Sequence, residues 1–351
     1  MSTEIAIIGD RFMLPTIFEE AIHAACGDSV SIRNLTLPWP DDPLISQSSE
    51  PELQGISEFV GSVERVTEHV GNAHALITHV APLTRSIFAA KPMLKFVAVT
   101  RGGPVNVDLT AADDSGVTVV NAPGRNASSV AEFTIAAILT QIKNIIKGHE
   151  ALRTGRFRGD LYRADKAGGE LSEMSVGIIG YGAIGSRVVK HLQTFGSTIL
   201  VNDPKASLDE ADIAYGVRKL TLNALLREAD IVSLHCRLTP QTRNLMNRDA
   251  FQAMKRGAVL INTARGELVD CHALETVLRN GHLQSAMLDT FDPEPPPAEW
   301  PLLKLPNVTV TPHIAGATLK TVRVSAEMAA EELRRWLAGE PPLHPCSSAA
   351  R

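Results

Sequence analysis

Apolar and polar positions follow two different rhythms along the chain. From residue 1 to about 120, short apolar runs at Glu4 to Ile8, near Ile32, around Leu76 (ALITHV) and around Phe96 (KFVAVT) alternate with helical stretches, predicting a small α/β unit. From Ser175 the alternation becomes strict: SVGIIG, a helix over 183–195, TILVND, DIVSLH, AVLINTA, QSAMLD and VTVTP, with amphipathic stretches between most of them. That rhythm predicts a parallel sheet covered by helices. Between the two parts, VTVVN from Val117 and the turn at Pro123 and Gly124 lead into a helix expected from Ser128 to Lys147. Its apolar positions cover more than one face, which predicts burial on two sides. A last helix ends at Gly339, a suitable C-cap, and the stretch from Pro341 has no periodicity and is expected to be mobile. Leu37 to Pro51, rich in Pro, Asp and Ser, reads as a surface loop.

Composition narrows the class. With 351 residues the chain is long enough for two domains, and 44% hydrophobic and 21% charged residues exclude disordered and disulfide-scaffold classes. A net charge of -5 gives no general attraction to nucleic acid or an anionic membrane, so neither is expected as a partner. Cys26, Cys236, Cys271 and Cys346 lack metal-ligand spacing, so no metal is expected and reduced thiols of a cytoplasmic protein are. The N-terminus has no basic segment before its apolar run and reads as a first strand rather than a signal peptide.

Gly180-Tyr-Gly182-Ala-Ile-Gly185 follows a strand and opens a helix, and Asp203 ends the next strand. In that context the glycines are a dinucleotide fingerprint. Gly180 makes the turn, Gly182 admits the pyrophosphate and Gly185 lets helix and strand approach, with the helix N-terminus favouring the anion. Asp203 suits the adenosine ribose and repels a 2′-phosphate, so NAD is expected over NADP, although Lys205 is close by. Ligands of such sheets sit beyond the carboxyl ends of the strands. Three of those ends carry Arg265, Asp289 with Glu294 five residues on, and His313. An arginine fork for a carboxylate, an imidazole for the hydroxyl proton and an acid beside it suit oxidation of an alcohol next to a carboxylate.

Gly180 to Gly185, Asn262-Thr-Ala-Arg265-Gly-Glu-Leu-Val-Asp270, Asp289-Thr-Phe-Asp-Pro-Glu294-Pro and Thr311-Pro-His313-Ile-Ala-Gly316 together resemble the NAD-dependent D-isomer-specific 2-hydroxyacid dehydrogenases. The resemblance covers nearly the whole chain to about residue 340. It implies Arg265 as substrate clamp, His313 as acid/base and Glu294 as its partner, with Thr263, Asp289, Ala183, Ile184, Ala315 and Gly316 around the cofactor. It implies a Rossmann-type doubly wound domain over 120–314 inserted into a smaller flavodoxin-like substrate domain over 1–119 and 315–345, with 346–351 a mobile tail. Residues 99–108, including Arg101, Gly102 and Gly103, resemble the family's substrate loop, where neighbouring amides form an anion pocket. Arg101 is open to two readings, a second cation for a phosphate, carboxylate or polyhydroxylated tail, or an exposed loop charge. His79 reads as structural rather than substrate-facing. Arg237 stands where relatives often carry proline, so the cofactor surface near Arg237 and Thr242 is expected to differ. Trp300 replaces a commonly polar residue, pointing to the substrate cleft or a subunit interface.

The expected activity is hydride transfer between NAD(H) and a D-2-hydroxy acid of phosphoglycerate, glyoxylate/hydroxypyruvate or sugar-acid type. The competing class is a cofactor-sensing, corepressor-like binding protein of the same fold. A homodimer is expected from the two-faced helix, with an arm carrying Arg153, Arg156, Arg158 and Arg163 reaching the partner. The stretch after Gly339 is too short for the regulatory domain of some phosphoglycerate dehydrogenases, so control by such a domain is not expected.

Overall fold

The computed structural model describes residues 3–27, 30–40, 44 and 48–348, so part of the 37–51 loop and residues 349–351 lie outside the described residues. The strands are β1 (Thr3–Gly9), β2 (Val30–Thr36), β3 (Ala75–Thr78), β4 (Phe96–Val99), β5 (Thr118–Asn121), β6 (Ser175–Ile179), β7 (Thr198–Asn202), β8 (Arg218–Lys219), β9 (Ile231–Leu234), β10 (Val259–Asn262), β11 (Ser285–Leu288), β12 (Val308–Val310) and β13 (Pro345–Cys346). They belong to two compact units, Met1–Asn126 with Thr318–Arg351, and Ala127–Ala317.

In the first unit the sheet order is β13-β5-β4-β3-β1-β2, with all neighbours parallel except β13. Strands β3 and β4 are buried along their whole length because helices cover both faces, which is why they read as unbroken apolar runs. One face carries Leu76, Val97 and Phe59, and the other Ile7, Phe18 and Phe96 with Ala326 and Leu333 from the helix Leu319–Leu337. The parallel strands run in flavodoxin order, 2-1-3-4-5, and chain direction across the sheet reverses between β1 and β3.

The second unit has a sheet ordered β12-β11-β10-β9-β6-β7-β8, parallel throughout. It is a doubly wound sheet with its reversal between β6 and β9. Apolar layers on its two faces are centred on Leu260, Leu274 and Phe251, and on Ile178, Val189 and Ile138.

Two expectations from the chain pattern are corrected. The helix expected from Ser128 to Lys147 is two helices, Ala127–Ile142 and Ile145–Arg153, bent by 65°. The break falls at Asn144, whose φ of 55° lies in the left-handed region that asparagine tolerates better than most side chains. The segment expected to be mobile is anchored through Ser348. Glu332, 1% exposed on the last helix, accepts hydrogen bonds from the amides of Leu343 and His344 at 3.0 and 2.8 Å and pairs with the His344 ring at 2.9 Å. Cys346 then pairs with Val119 at the sheet edge, and the Ser348 amide and hydroxyl donate to Asp113. The two-residue strand leaves no period to detect, and its anchor is a carboxylate 11 residues back along the chain.

Candidate active site

The glycine turn lies at the reversal point of the larger sheet. Gly180, at the end of β6, has φ 97°, and a side chain there would meet the Cys236 amide nitrogen beyond β9 at 2.5 Å. Gly185 opens the helix Gly185–Gln193, where a Cβ would lie 2.0 Å from the Gly180 carbonyl oxygen. Gly182 differs from both, because a Cβ there would meet open space. The exposed amides of Gly182 and Ala183 and that of Ile184 make no hydrogen bond among the described residues. An open approach, unspent donors and a helix N-terminus fit a dinucleotide pyrophosphate. Asp203, after β7, accepts from the amides of Tyr181 (2.8 Å), Lys205 (2.9 Å) and Ala206 (3.1 Å). Burial pushes its carboxyl up, but those amides and Lys219 together hold it below the usual range, so an anion stands at the strand end.

The three candidate reacting residues come from the loops after β10, β11 and β12. Arg265 is exposed just past β10, and Asn262 braces its turn by donating to the Arg265 carbonyl at 2.8 Å and accepting from the Ala264 amide at 3.1 Å. At Gly266 a Cβ would fall 1.9 Å from the Phe291 carbonyl carbon, so the loops bearing Arg265 and Glu294 touch backbone to backbone. Glu294 accepts from the Phe291 amide at 3.2 Å and meets His313 Nδ1 with its other oxygen at 2.7 Å. Burial raises the Glu294 carboxyl, whereas the His313 hydrogen bond and charge, the Phe291 amide and Arg265 outweigh it and set the carboxyl below its ordinary value. Trp300 packs edge-on against Phe291 at 5.6 Å between ring centroids, bracing the same loop.

His313 has φ 54°, a left-handed conformation that costs an ordinary residue about 1–2 kcal/mol. Asp289 holds it there. This carboxylate is fully buried and accepts from Thr311 Oγ1 (2.6 Å) and from the Ile314 and Ala315 amides (both 2.9 Å). Hydrogen bonds to a charged acceptor contribute roughly 1.5–3 kcal/mol each, so three of them outweigh the backbone strain. Asp289, expected beside the cofactor, thus spends both oxygens on the loop bearing His313. Ser129 Oγ adds a fourth tie by donating to the Ala315 carbonyl at 2.7 Å, and Gly316 continues the loop.

Other expected positions differ in what they leave available. Thr263 is buried with its hydroxyl 3.1 Å from that of Thr134. The Thr242 hydroxyl closes a local turn, accepting from the Thr239 amide and donating to the Arg237 carbonyl, and the Arg237 side chain is exposed beside it. In the first unit, Gly102 and Gly103 face open space, and their amides have no partner among the described residues, as an anion-holding turn requires. Arg101 donates to the Glu58 carbonyl at 3.0 Å and forms an ion pair with the Glu58 carboxylate, so the reading of an exposed loop charge does not hold. Asn262, Gly266, Phe291, Thr311 and Ser129 were not singled out from the sequence. The first four lie within or beside the recognised motifs, but Ser129 is 186 residues from its partner and carries no local signal.

A doubly wound sheet with an open glycine turn at its reversal point, and a paired histidine and carboxylate beside an arginine at neighbouring strand ends, define a nicotinamide-dependent oxidoreductase. Residues 135–315 match the family model for the NAD-binding domain of D-isomer specific 2-hydroxyacid dehydrogenases. The chain is 37% identical over 268 residues to a putative 2-hydroxyacid dehydrogenase, YoaD, of Bacillus subtilis, covering 76% of this chain and 77% of that one. It is 32% identical to a glyoxylate reductase of Thermofilum pendens, covering 87% and 91%. With a D-3-phosphoglycerate dehydrogenase of Methanocaldococcus jannaschii it shares 35% identity over 85% of this chain and 57% of the other. A Thermus thermophilus protein of known structure superposes with a TM-score of 0.76 at 31% identity, covering 97% and 99%. The chain belongs to the D-isomer specific 2-hydroxyacid dehydrogenase family and is an oxidoreductase acting on CH–OH donors.

Replacing Asp289 with Asn should lower kcat about tenfold to a hundredfold, because the amide NH2 faces donors and frees the His313 loop from its position. Steady-state rates on folded variant, verified by circular dichroism, check this. Wild-type kcat would show that the loop holds itself.

Proposed function

We propose that this protein interconverts a small 2-keto acid and the corresponding D-2-hydroxy acid, using NAD(H) in preference to NADP(H). The observation that carries the reading is the 2.7 Å contact between His313 Nδ1 and Glu294 on a loop in backbone contact with that of Arg265. A bound nicotinamide supplies or accepts the hydride. The Arg265 guanidinium binds the substrate carboxylate and polarises the neighbouring oxygen. With Nδ1 held by Glu294, His313 presents Nε2, which gives a proton to the forming hydroxyl in reduction and takes it in oxidation. Within the first unit, the open amides of Gly102 and Gly103 suit an anionic group such as a carboxylate. The relatives named glyoxylate reductase and phosphoglycerate dehydrogenase support glyoxylate-, hydroxypyruvate- and phosphoglycerate-type acids as the first to assay.

We further propose a cytoplasmic homodimer. Free cysteines support the compartment. Ile145, Leu152, Phe157 and Tyr162 are 52%, 61%, 88% and 96% exposed along one stretch of the second unit, more apolar surface than an isolated subunit leaves open without use. Within that arm Arg158 and Arg163 form ion pairs with Asp160 and Asp165. Light scattering at micromolar protein should return twice the chain mass of 37.8 kDa, and the monomer mass would remove the dimer.

The proton route sets the pH dependence. The Glu294 carboxyl is depressed, so its ionised form persists as pH falls through the ordinary carboxylate range, and the pair with protonated His313 is lost only below it. Glu294→Gln removes the charge that stabilises the imidazolium, so the alkaline limb of keto-acid reduction should move to lower pH. NADH oxidation with glyoxylate followed from pH 5 to 9 measures it. A limb that stays in place or moves to higher pH would overturn the assignment, as would full activity in His313→Ala.

For the cofactor, Asp203→Ser removes an anion that repels a 2′-phosphate. The ratio of kcat/KM for NADH over NADPH should fall at least tenfold, and an unchanged ratio would take Asp203 off the ribose.

A further inference from the structure

The reversal point of the smaller sheet, between β1 and β3, carries a group of side chains that the proposed chemistry does not use. In parallel sheets of this order the loops after the two central strands part and leave a ligand crevice. Asp10 follows β1 and His79 follows β3, with 0% and 4% exposure. One Asp10 oxygen accepts from the amides of Phe12 and Met13 at 2.8 and 2.7 Å, and the other holds His79 Nδ1 at 2.7 Å. Trp39 stacks on the imidazole, with ring planes within 6° and centroids 5.9 Å apart, and Phe12 packs against it at 5.8 Å. The ring is therefore fixed in both orientation and tautomer, leaving Nε2 as an acceptor.

Arg125 points its guanidinium at that acceptor. Nη2 lies 3.5 Å from His79 Nε2, and Nη1 reaches Ser325 Oγ at 3.3 Å and the Met13 sulfur at 3.9 Å. Among the described residues no carboxylate lies within ion-pair distance of it, and Nε–H and one Nη2–H have no partner. Burial pushes this guanidinium down to about 10, against the pull of the more distant Asp10. Arg125 is half-buried and has no contacting anion among the described residues, so its charge is available to a ligand that reaches it. Arg101, the other arginine of this sheet edge, already has Glu58.

The neighbouring turn indicates where such a ligand is anchored. Asn121 donates to the Gly102 carbonyl at 2.8 Å, and the Ala122 amide donates to the Arg101 carbonyl at 2.8 Å. The segment leading to Arg125 is thus tied to the open amides of Gly102 and Gly103. We propose that Arg125, oriented by the Asp10–His79 pair, binds a second anionic group of the substrate, a carboxylate or phosphate carried beyond the 2-keto acid function. Trp39, 37% exposed, and Phe12 line the same place and suit the apolar part of the substrate between its charges. This rests on the keto-acid reading above, so its test includes a measurement that needs no turnover.

Isothermal titration of the full chain with malonate and with inorganic phosphate supplies that measurement. At least one of the two should bind the wild type, and Arg125→Gln should weaken it at least tenfold. Arg125→Lys, which keeps the charge and loses the planar fork, should recover part of the loss and serves if the glutamine variant does not fold. Kinetics then separate the sources: Arg125→Gln should lower kcat/KM at least thirtyfold, mainly through KM, for 2-oxoglutarate if the group is a carboxylate or for phosphohydroxypyruvate if it is a phosphate. Glyoxylate, with one charge, should change less than twofold. If neither anion binds the wild type, or both bind Arg125→Gln equally well, the site is refuted. Equal loss for one-charge and two-charge acids would refute it as a substrate subsite. A wild type that binds malonate or phosphate but reduces no keto acid would instead overturn the functional reading and leave the anion site standing.

Discussion

Asp289 follows the strand β11 in a place without solvent, and a carboxylate so placed must find donors within the protein. It finds three, all in the five residues that follow the end of β12, and those residues include His313. Satisfying the buried charge and shaping the histidine loop are therefore one event. The left-handed backbone of His313 is tolerated because two neighbouring amides are drawn inward to the carboxylate, which turns the intervening chain outward. With the imidazole presented in this way, Glu294 meets it from the next loop, and the Gly266–Phe291 contact fixes that loop against the one bearing Arg265. A side chain at residue 266 or a lost donor at residue 311 would disturb geometry at a distance from the reacting atoms, which is how precise placement comes to depend on residues without chemistry of their own.

Both sheets use the same topological device with different contents. In the larger sheet the strands part between β6 and β9, and the crevice is lined by backbone amides at glycines, because a dinucleotide pyrophosphate must approach the chain itself. In the smaller sheet they part between β1 and β3, and the crevice is filled with an aspartate, a histidine and two aromatic rings facing an arginine. Amides at a helix start recognise an anion by dipoles and cost nothing in buried charge. A guanidinium recognises it by full charge and a planar fork, and has to be oriented by a neighbour.

The amount visible in the sequence followed the range of the interactions. Strands buried on both faces show as apolar runs, and the glycine fingerprint is a local pattern between a strand and a helix, so the doubly wound unit and its cofactor turn are legible in the sequence. Arg265, Glu294 and His313 could be expected near one another because topology alone sends the ends of parallel strands to one edge. The helix break at Asn144 was not visible, since a single left-handed residue leaves the apolar pattern on either side undisturbed. The order of residues 343–348 was also hidden, because it depends on Glu332 and Asp113, which look like ordinary surface acids in the sequence.

Arg101 and Arg125 show the same limit for charge. In the sequence, Arg101 stands out because it sits in a glycine-rich stretch resembling a substrate loop, whereas no motif includes Arg125. The structure reverses their standing through contacts 43 and 46 residues away along the chain, Glu58 for one and His79 for the other. An arginine that has met a carboxylate has little electrostatic reason to bind a ligand, whereas one that faces a neutral imidazole and a hydroxyl keeps its charge available. Available cation chemistry is therefore a property of the folded neighbourhood, and counting arginines near a motif is a poor guide to how many anions a substrate carries.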